Sequence, residues 1–240
     1  MNRGTLQDTT IYSKALDEEI QLLIYLPPNY SPLYKYSVLI ASDGKDYFQL
    51  GRISRIADEL YENREIENLI IVGVPYKNVK DRRSKYHPEG EQQLAYSRFI
   101  AQELVPYIDE NYPTYQIGMG RALIGDSLAG TISLLTALRY PNTFGKVILH
   151  SPLVNEEILE KVENHKEVSA FSIYQVIGNE ETAVKTGDGL LTDFLTPNRQ
   201  LHDMLKNKGV STFYDELNGD HTWKLWQPDI KRSLLNNFSL

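Results

Sequence analysis

The sequence predicts an α/β fold in which a central, mostly parallel sheet is flanked by helices on both faces. Apolar, β-rich runs of strand length recur along the 240 residues. Segments with helical spacing separate the later runs, whereas only a short loop separates the first two. Alternating strands and helices are typical of a doubly wound sheet, because parallel neighbours need a crossover helix.

Six apolar runs are predicted to be strands covered on both faces, because they lack the alternation of a half-exposed strand. These runs end at Leu26, Ser42, Val74, Asp126, Ser151 and Ile177. A seventh β-like run, STFYDEL, precedes the C-terminal segment. The segment PPNYSPLYK between the first two runs is too short for a crossover helix, so we expect the N-terminal strands to be antiparallel.

Helical spacing predicts four helices between and after the later strands. They cover Leu94 to Asn111, Ser127 to Arg139, Asn198 to Lys208, and a final segment from about Trp226. No repeat or Pro/Gly-rich linker interrupts the chain, so a single domain over residues 1–240 is expected. The stretch from Asn179 to Asn198 is the most loop-like, and such loops at the carboxyl ends of strands commonly build sites.

Composition narrows the classes of partner. Lys and Arg total 25 against 32 Asp and Glu, a net charge of -7 that argues against binding nucleic acid or an anionic membrane. The absence of cysteine excludes disulfides, thiolate nucleophiles and cysteine-bound metals. The N-terminal segment MNRGTLQDTT has no apolar core of a signal peptide, so a cytoplasmic protein is expected. The sequence leaves open whether the protein forms a homodimer.

The strongest chemical signal is the segment IGDSLAG around Ser127, which follows a predicted strand and opens a predicted helix. That is the context of a nucleophile elbow, a sharp turn that exposes a serine hydroxyl and tolerates only small neighbours. Gly125 stands two residues before the serine, and Ala129 replaces the glycine usual two residues after it. Serine also caps helices in proteins without such a site, so the hypothesis needs partner residues.

A general base and an acid complete such a site, in the chain order serine, acid, histidine. His221, in the segment GDHTWKLW before the terminal helix, follows this order. We expect the acid in the loop after the strand that ends at Ile177, where it can orient the imidazole. The candidates are Glu181, which we favour, and Glu180, Asp188 and Asp193.

An oxyanion hole needs two backbone N–H groups that face the developing negative oxygen. Leu128, directly after the serine, is expected to supply one. The Asp-Gly turn after the strand that ends at Ser42 makes Gly44 or Lys45 the candidate for the other, because glycine lets the backbone approach a substrate.

Three residues are expected to contact the substrate: Trp223, Arg82 and Tyr47. Trp223 shares a helix face with Trp226, and we expect Trp226 to lie in the core while Trp223 approaches the site. Arg82 belongs to a group of basic residues that could pair with an anionic substrate. The other members are Lys45, Arg83 and His87.

Seven segments carry a family resemblance: IYLPPNY, VLIASDGKDYF, RRSKYHP, FIAQELVPYIDENYP, GDSLAG, NRQLHDML and GDHTWKLW. From about Gln21 onward, the chain resembles the "putative esterase" family of α/β hydrolases, which contains esterase D and the enterochelin esterases. The resemblance implies an α/β-hydrolase fold and catalytic roles for Ser127 and His221. It also implies an acid three residues after Gly178, at Glu181, and an oxyanion donor in the Asp-Gly turn.

The sequence departs from that family at three positions. Ala129 replaces the first of two glycines after the serine, Asp220 replaces the second glycine before the histidine, and Asp126 stands where histidine is frequent. None of these changes removes a reacting group. We therefore expect hydrolysis of a small-molecule carboxylic ester, such as a siderophore-type ester, through an acyl-enzyme and without metal or organic cofactor. The alternatives are an acyltransferase or thioesterase with the same triad, and a binding protein without catalysis.

Overall fold

The structure is a computed structural model that describes residues 3–166, 171–187 and 189–240. Its strands are β1 (Thr5–Ser13), β2 (Glu18–Leu26), β3 (Ser37–Ser42), β4 (Leu69–Val74), β5 (Arg121–Asp126), β6 (Lys146–His150), β7 (Ser172–Gly178), β8 (Val184–Lys185), β9 (Leu191–Thr192) and β10 (Ser211–Leu217). Its α-helices are α1 (Gly44–Gln49), α2 (Ile53–Glu62), α3 (Val79–Tyr86), α4 (Gln93–Phe99), α5 (Val105–Asn111), α6 (Leu128–Arg139), α7 (Glu156–Asn164), α8 (Leu195–Asn207) and α9 (Trp223–Phe238). A π-helical segment, Ile100–Leu104, joins α4 to α5. Within these described ranges, no helix is both long and apolar enough to cross a membrane.

Eight strands form one sheet in the order β1-β2-β4-β3-β5-β6-β7-β10. β1 and β4 both run antiparallel to β2. All neighbours from β4 to β10 are parallel. This arrangement confirms the predicted mostly parallel sheet with antiparallel strands at its N-terminal edge, and β8 and β9 form a separate hairpin.

Two apolar cores cover the sheet because alternate strand residues face opposite sides. On β3, Val38 and Ile40 join the core beneath the helices from α4 to α8, whereas Leu39 and Ala41 join the core beneath α1, α2 and α9. All six residues of β3, of β4 and of β5 are buried. Burial on both faces explains why these strands read as continuous apolar runs in the sequence.

Several elements differ from the sequence prediction. β1 was not expected, because its outer residues are polar and mostly exposed, as befits an edge strand. The strands β2 and β3 run in opposite directions as predicted, but β4 lies between them. Helix α8 begins at Leu195 and α9 at Trp223, earlier than expected, and α1, α2, α3 and α7 were not predicted.

The six parallel strands bring the loops that follow them to one edge of the sheet. In β3 and β5, Ala41 pairs with Ile124, so the chain leaves both strands at the same level. His150 at the end of β6 lies opposite Asp126, and β7 and β10 end side by side. Loops at the carboxyl ends of parallel strands are where sites form in open α/β sheets.

Candidate active site

Ser127 occupies a sharp turn between β5 and α6. Its backbone has φ 50° and ψ −124°, a conformation that L-residues adopt at a cost and that often marks functional sites. The Ser127 N–H donates to the carbonyl of His150 at 2.9 Å, which fixes the turn to the neighbouring strand. A side chain at Gly125 would collide with the backbone of Ala129 and come within 2.5 Å of Gly130 N, so this turn requires glycine there.

Ala129, the residue that departs from the usual elbow pattern, is fully buried beneath the turn. Its methyl group belongs to the apolar core beneath the helices from α4 to α8. The turn therefore forms with alanine at this position, and the close backbone approach falls on Gly125 instead.

His221 lies between β10 and α9 and reaches the serine. Its Nε2 is 2.9 Å from Ser127 Oγ, and its Nδ1 is 2.6 Å from Glu181 Oε2. The edges of Phe194 and Trp226 contact its ring, with ring centroids 4.6 Å and 4.9 Å away. The side chain keeps 16% of its surface exposed, so the imidazole is held in place yet open to the cleft.

Glu181 follows β7 and is completely buried. Its Oε1 accepts hydrogen bonds from the Gly178 N–H at 2.8 Å and from the Ser151 hydroxyl at 2.6 Å. Its Oε2 is left to accept from the imidazole. A carboxylate surrounded by donors in this way can orient an imidazole and stabilise its protonated form.

The other candidate acids are placed elsewhere. Glu180 is exposed, and its backbone N–H donates to the Gly219 carbonyl. Asp193 accepts from the Thr196 N–H in the first turn of α8. Asp188 lies outside the described residues. Among the described residues, Glu181 is thus the acid hydrogen-bonded to His221.

The expected oxyanion donors lie just beyond the ends of β3 and β5, two neighbouring strands at the centre of the sheet. Leu128 is the first residue of α6, directly after Ser127. Ala41 pairs with Ile124, so the turn that carries Gly44 and the turn that carries Ser127 follow neighbouring strands at the same edge of the sheet. Gly44 is buried against β4, whereas the Lys45 side chain is exposed and lies outside the residues that line the cleft.

Arg82 lies in the wall of the cleft, but its guanidinium is bound to the protein itself. Its Nε and Nη2 donate to the Asp43 carboxylate at 2.8 Å and 2.5 Å, and Nη2 also reaches the Asp126 carbonyl at 3.4 Å. Asp43 directly precedes Gly44. The ion pair holds the Asp-Gly turn against the end of β5, and the contact expected between Arg82 and a substrate stays a prediction.

Asp126, the residue before the nucleophile, is a buried acid that also lines the cleft. Burial, reinforced by the neighbouring Asp43 carboxyl, raises the pKa of Asp126 well above its ordinary value. Its Oδ1 is buried without a hydrogen-bond partner in the described part of the chain. We conclude that Asp126 holds its proton at a pH where an exposed aspartate would not.

A cleft of about 470 Å³ opens above Ser127 and His221. Its apolar wall includes Leu153, Phe194 and Trp226, and its basic wall includes Arg83, His87 and Lys185. Such a volume suits a small-molecule ligand.

Trp226 is buried as expected, but it lines the cleft in place of Trp223. Trp226 lines the cleft and contacts His221, whereas Trp223 packs on Tyr47 and Trp226 and does not line the cleft. Tyr47 is also absent from the cleft, because it is fully buried and its hydroxyl hydrogen-bonds His150 Nδ1 at 2.9 Å. The reason is the phase of α9, which begins at Trp223 and turns the indole of Trp226 toward the end of β6.

Sequence reasoning also missed Ser151 and Phe194. Ser151 directly follows β6, the strand beside the one that carries the nucleophile, and this position at the edge of the sheet was the available signal. Phe194 precedes α8 and had no distinguishing pattern.

Comparison with known proteins identifies the family of the chain. The family model described as "Putative esterase" matches residues 13–236. A Bacillus subtilis (strain 168) relative, "Uncharacterized protein YjcH", is 55% identical over 231 residues, which cover 96% of each chain. A solved ferulic acid esterase superposes with a TM-score of 0.81 at 18% identity over 99% of each chain. The enterobactin esterase of Shigella flexneri superposes with a TM-score of 0.82 at 17% identity, over 97% of this chain and 58% of that one.

The two superpositions show the shared fold, and the family match spans nearly the whole chain. The protein belongs to the Putative esterase family and is a carboxylic ester hydrolase of the α/β-hydrolase fold.

Proposed function

We propose that the protein, a single domain of residues 1–240, hydrolyses a small-molecule carboxylic ester through an acyl-enzyme formed on Ser127. The hydrogen-bonded series from Ser127 Oγ through His221 to Glu181, at 2.9 Å and 2.6 Å, is the observation that carries the proposal. A serine hydroxyl is a weak nucleophile on its own, and a hydrogen-bonded imidazole can activate it as a general base.

In the proposed mechanism, Ser127 Oγ attacks the ester carbonyl while its proton passes to His221 Nε2. The buried Glu181 carboxylate stabilises the imidazolium that results. The imidazolium then protonates the leaving alcohol, and the acyl group remains on Ser127. Water, deprotonated by the same imidazole, attacks the acyl-enzyme and releases the acid.

The negative oxygen of each tetrahedral intermediate is proposed to accept from the Leu128 N–H and from the N–H of Gly44 or Lys45. The position of Leu128 at the first turn of the twelve-residue helix α6 supports its role, because unpaired N–H groups and the helix dipole favour negative charge there. The turn that carries Gly44 follows β3, the strand next to β5, and this position supports the second donor.

The cleft supports a compact substrate with an apolar portion. Phe194 and Trp226 offer aromatic surface next to His221, and Arg83 and Lys185 add basic side chains to the lining of the cleft. An acidic or phenolic ester, of which a siderophore-type ester is one example, is complementary to both surfaces.

The test measures hydrolysis of p-nitrophenyl esters of increasing acyl length by the wild type and by Ser127→Ala. Removal of the nucleophile is expected to reduce kcat by about 10⁴-fold or more. A fluorophosphonate should label the wild type at Ser127, as read by peptide mass spectrometry, and should leave Ser127→Ala unlabelled.

Ser133→Ala is the matched control, because Ser133 is buried on the same helix and its hydroxyl donates to the Ala129 carbonyl. It should retain wild-type turnover. Wild-type turnover in Ser127→Ala, or a label on another residue, would refute the assigned nucleophile.

A further inference from the structure

Ser151 has features that the proposed mechanism does not use. It is fully buried, and its φ of 47° lies in the left-handed region that serine rarely adopts. The preceding residue, His150, is the one whose carbonyl accepts from the Ser127 N–H. Strain of this kind persists only where surrounding contacts hold it, and here those contacts lead to the acid of the site.

The hydrogen-bond directions around Ser151 follow from the chemistry of its partners. The Trp226 indole N–H can only donate, and it reaches Ser151 Oγ at 2.9 Å. The Ser151 proton is therefore directed to Glu181 Oε1, 2.6 Å away. The Gly178 N–H donates to the same oxygen at 2.8 Å. Two donors thus fix Oε1, and Oε2 faces the imidazole of His221.

We propose that Ser151 is a positioning residue, which holds the Glu181 carboxylate in the orientation and charge distribution that His221 requires, and that Trp226 connects this contact to the wall of the cleft. The inference rests on the proposed function. Ser151 touches no substrate, because it has no exposed surface. Trp226 lines the cleft and also contacts the His221 ring, so the indole joins the cleft wall to both ends of the acid–imidazole contact.

Removal of the hydroxyl has two expected consequences. The carboxylate loses one of the two donors at Oε1. We therefore expect kcat to fall about ten- to a hundred-fold, which is the range for loss of a hydrogen bond to a charged group, and KM to stay unchanged. More of the negative charge then resides on Oε2, which stabilises the imidazolium. The acid limb of the kcat/KM profile should therefore move to higher pH.

The experiment compares Ser151→Ala and Ser151→Gly in p-nitrophenyl acetate hydrolysis from about pH 5 to pH 9. Both variants lack the hydroxyl, and glycine also accepts the positive φ without strain. Both should show the same loss of kcat and the same shift of the acid limb. Trp226→Phe, which removes the donor to Ser151 Oγ and keeps an aromatic ring in the wall of the cleft, should show a smaller shift in the same direction.

Ser233→Ala is the control for removal of a buried hydroxyl, because Ser233 is fully buried in α9 and donates to the Ile230 carbonyl. It should keep the wild-type kcat and pH profile. A wild-type kcat in Ser151→Ala and Ser151→Gly, or a lower kcat with an unmoved acid limb, would overturn the positioning role. Failure of the proposed function would appear separately, as turnover that survives Ser127→Ala.

Discussion

Gly178→Ala tests whether the acid and the histidine depend on close backbone packing between their loops. Gly178 ends β7, and a methyl group there would lie 2.8 Å from Glu181 Oε1 and closer still to the Gly219 carbonyl, two residues before His221. An ordinary contact begins at 3.4 Å, so Oε1 would have to move by about 0.6 Å (3.4 less 2.8). The methyl group therefore separates the two loops that meet at the Glu181–His221 hydrogen bond.

The expected loss follows from that displacement. Displacement of a catalytic group by about 1 Å can reduce turnover by about 10²-fold, and productive sites tolerate about 0.5 Å. We expect kcat for p-nitrophenyl acetate to fall between ten- and about a hundred-fold. Overpacking should also lower the free energy of unfolding by about 1–3 kcal/mol. This cost comes from steric contact and not from backbone strain, because Gly178 has no positive φ.

The assay combines steady-state kinetics with thermal unfolding. Gly118→Ala is the matched control, because Gly118 lies before the opposite end of β5 and its methyl group would meet no atom closer than 3.1 Å. A folded Gly178→Ala protein with wild-type kcat would show that the acid does not depend on this packing.

Two further predictions concern the buried charges beside the nucleophile. Arg82→Gln should leave the Asp43 carboxylate, which is 1% exposed, without its cation. The free energy of unfolding should fall by about 3–5 kcal/mol and the melting temperature by about 10 °C. Asp43→Asn in the same chain should recover part of the lost melting temperature. An unchanged melting temperature would contradict a stabilising ion pair. Asp126→Asn should stabilise the fold increasingly as pH rises. Because the pKa of Asp126 is raised, its protonated carboxyl contributes to the free energy of unfolding below the ordinary value of 3.8, and this contribution is lost as pH rises through the raised value. Melting temperatures of variant and wild type that differ equally at about pH 5 and pH 8 would contradict this sign.

Local sequence patterns were enough to predict most of the sheet and two members of the site. Runs such as LIIVGV are strands because they are buried on both faces, and burial of this kind is visible in composition alone. Ser127 was found because the elbow imposes small residues at fixed spacing, and His221 because chain order and loop position limit the base. Both residues lie within hydrogen-bond distance of each other in the structure.

The family resemblance, which implies an acid three residues after Gly178, favoured Glu181 over its neighbours, but the burial of Glu181 and its donors were not predictable. These depend on β7 and β10 ending side by side and on β6 bringing Ser151 next to Glu181. The ion pair of Arg82 joins residues 39 positions apart, and no local pattern marks such a pair.

The sequence by itself determined the fold class, the nucleophile turn and the order of the reacting residues, because backbone sterics and burial restrict which residue types can occupy these positions. Only the tertiary structure decided which tryptophan faces the cleft, why Tyr47 does not, and which groups hold the acid. Those outcomes depend on where α9 begins and on strand register, and a change of one residue in either redirects side chains to another face.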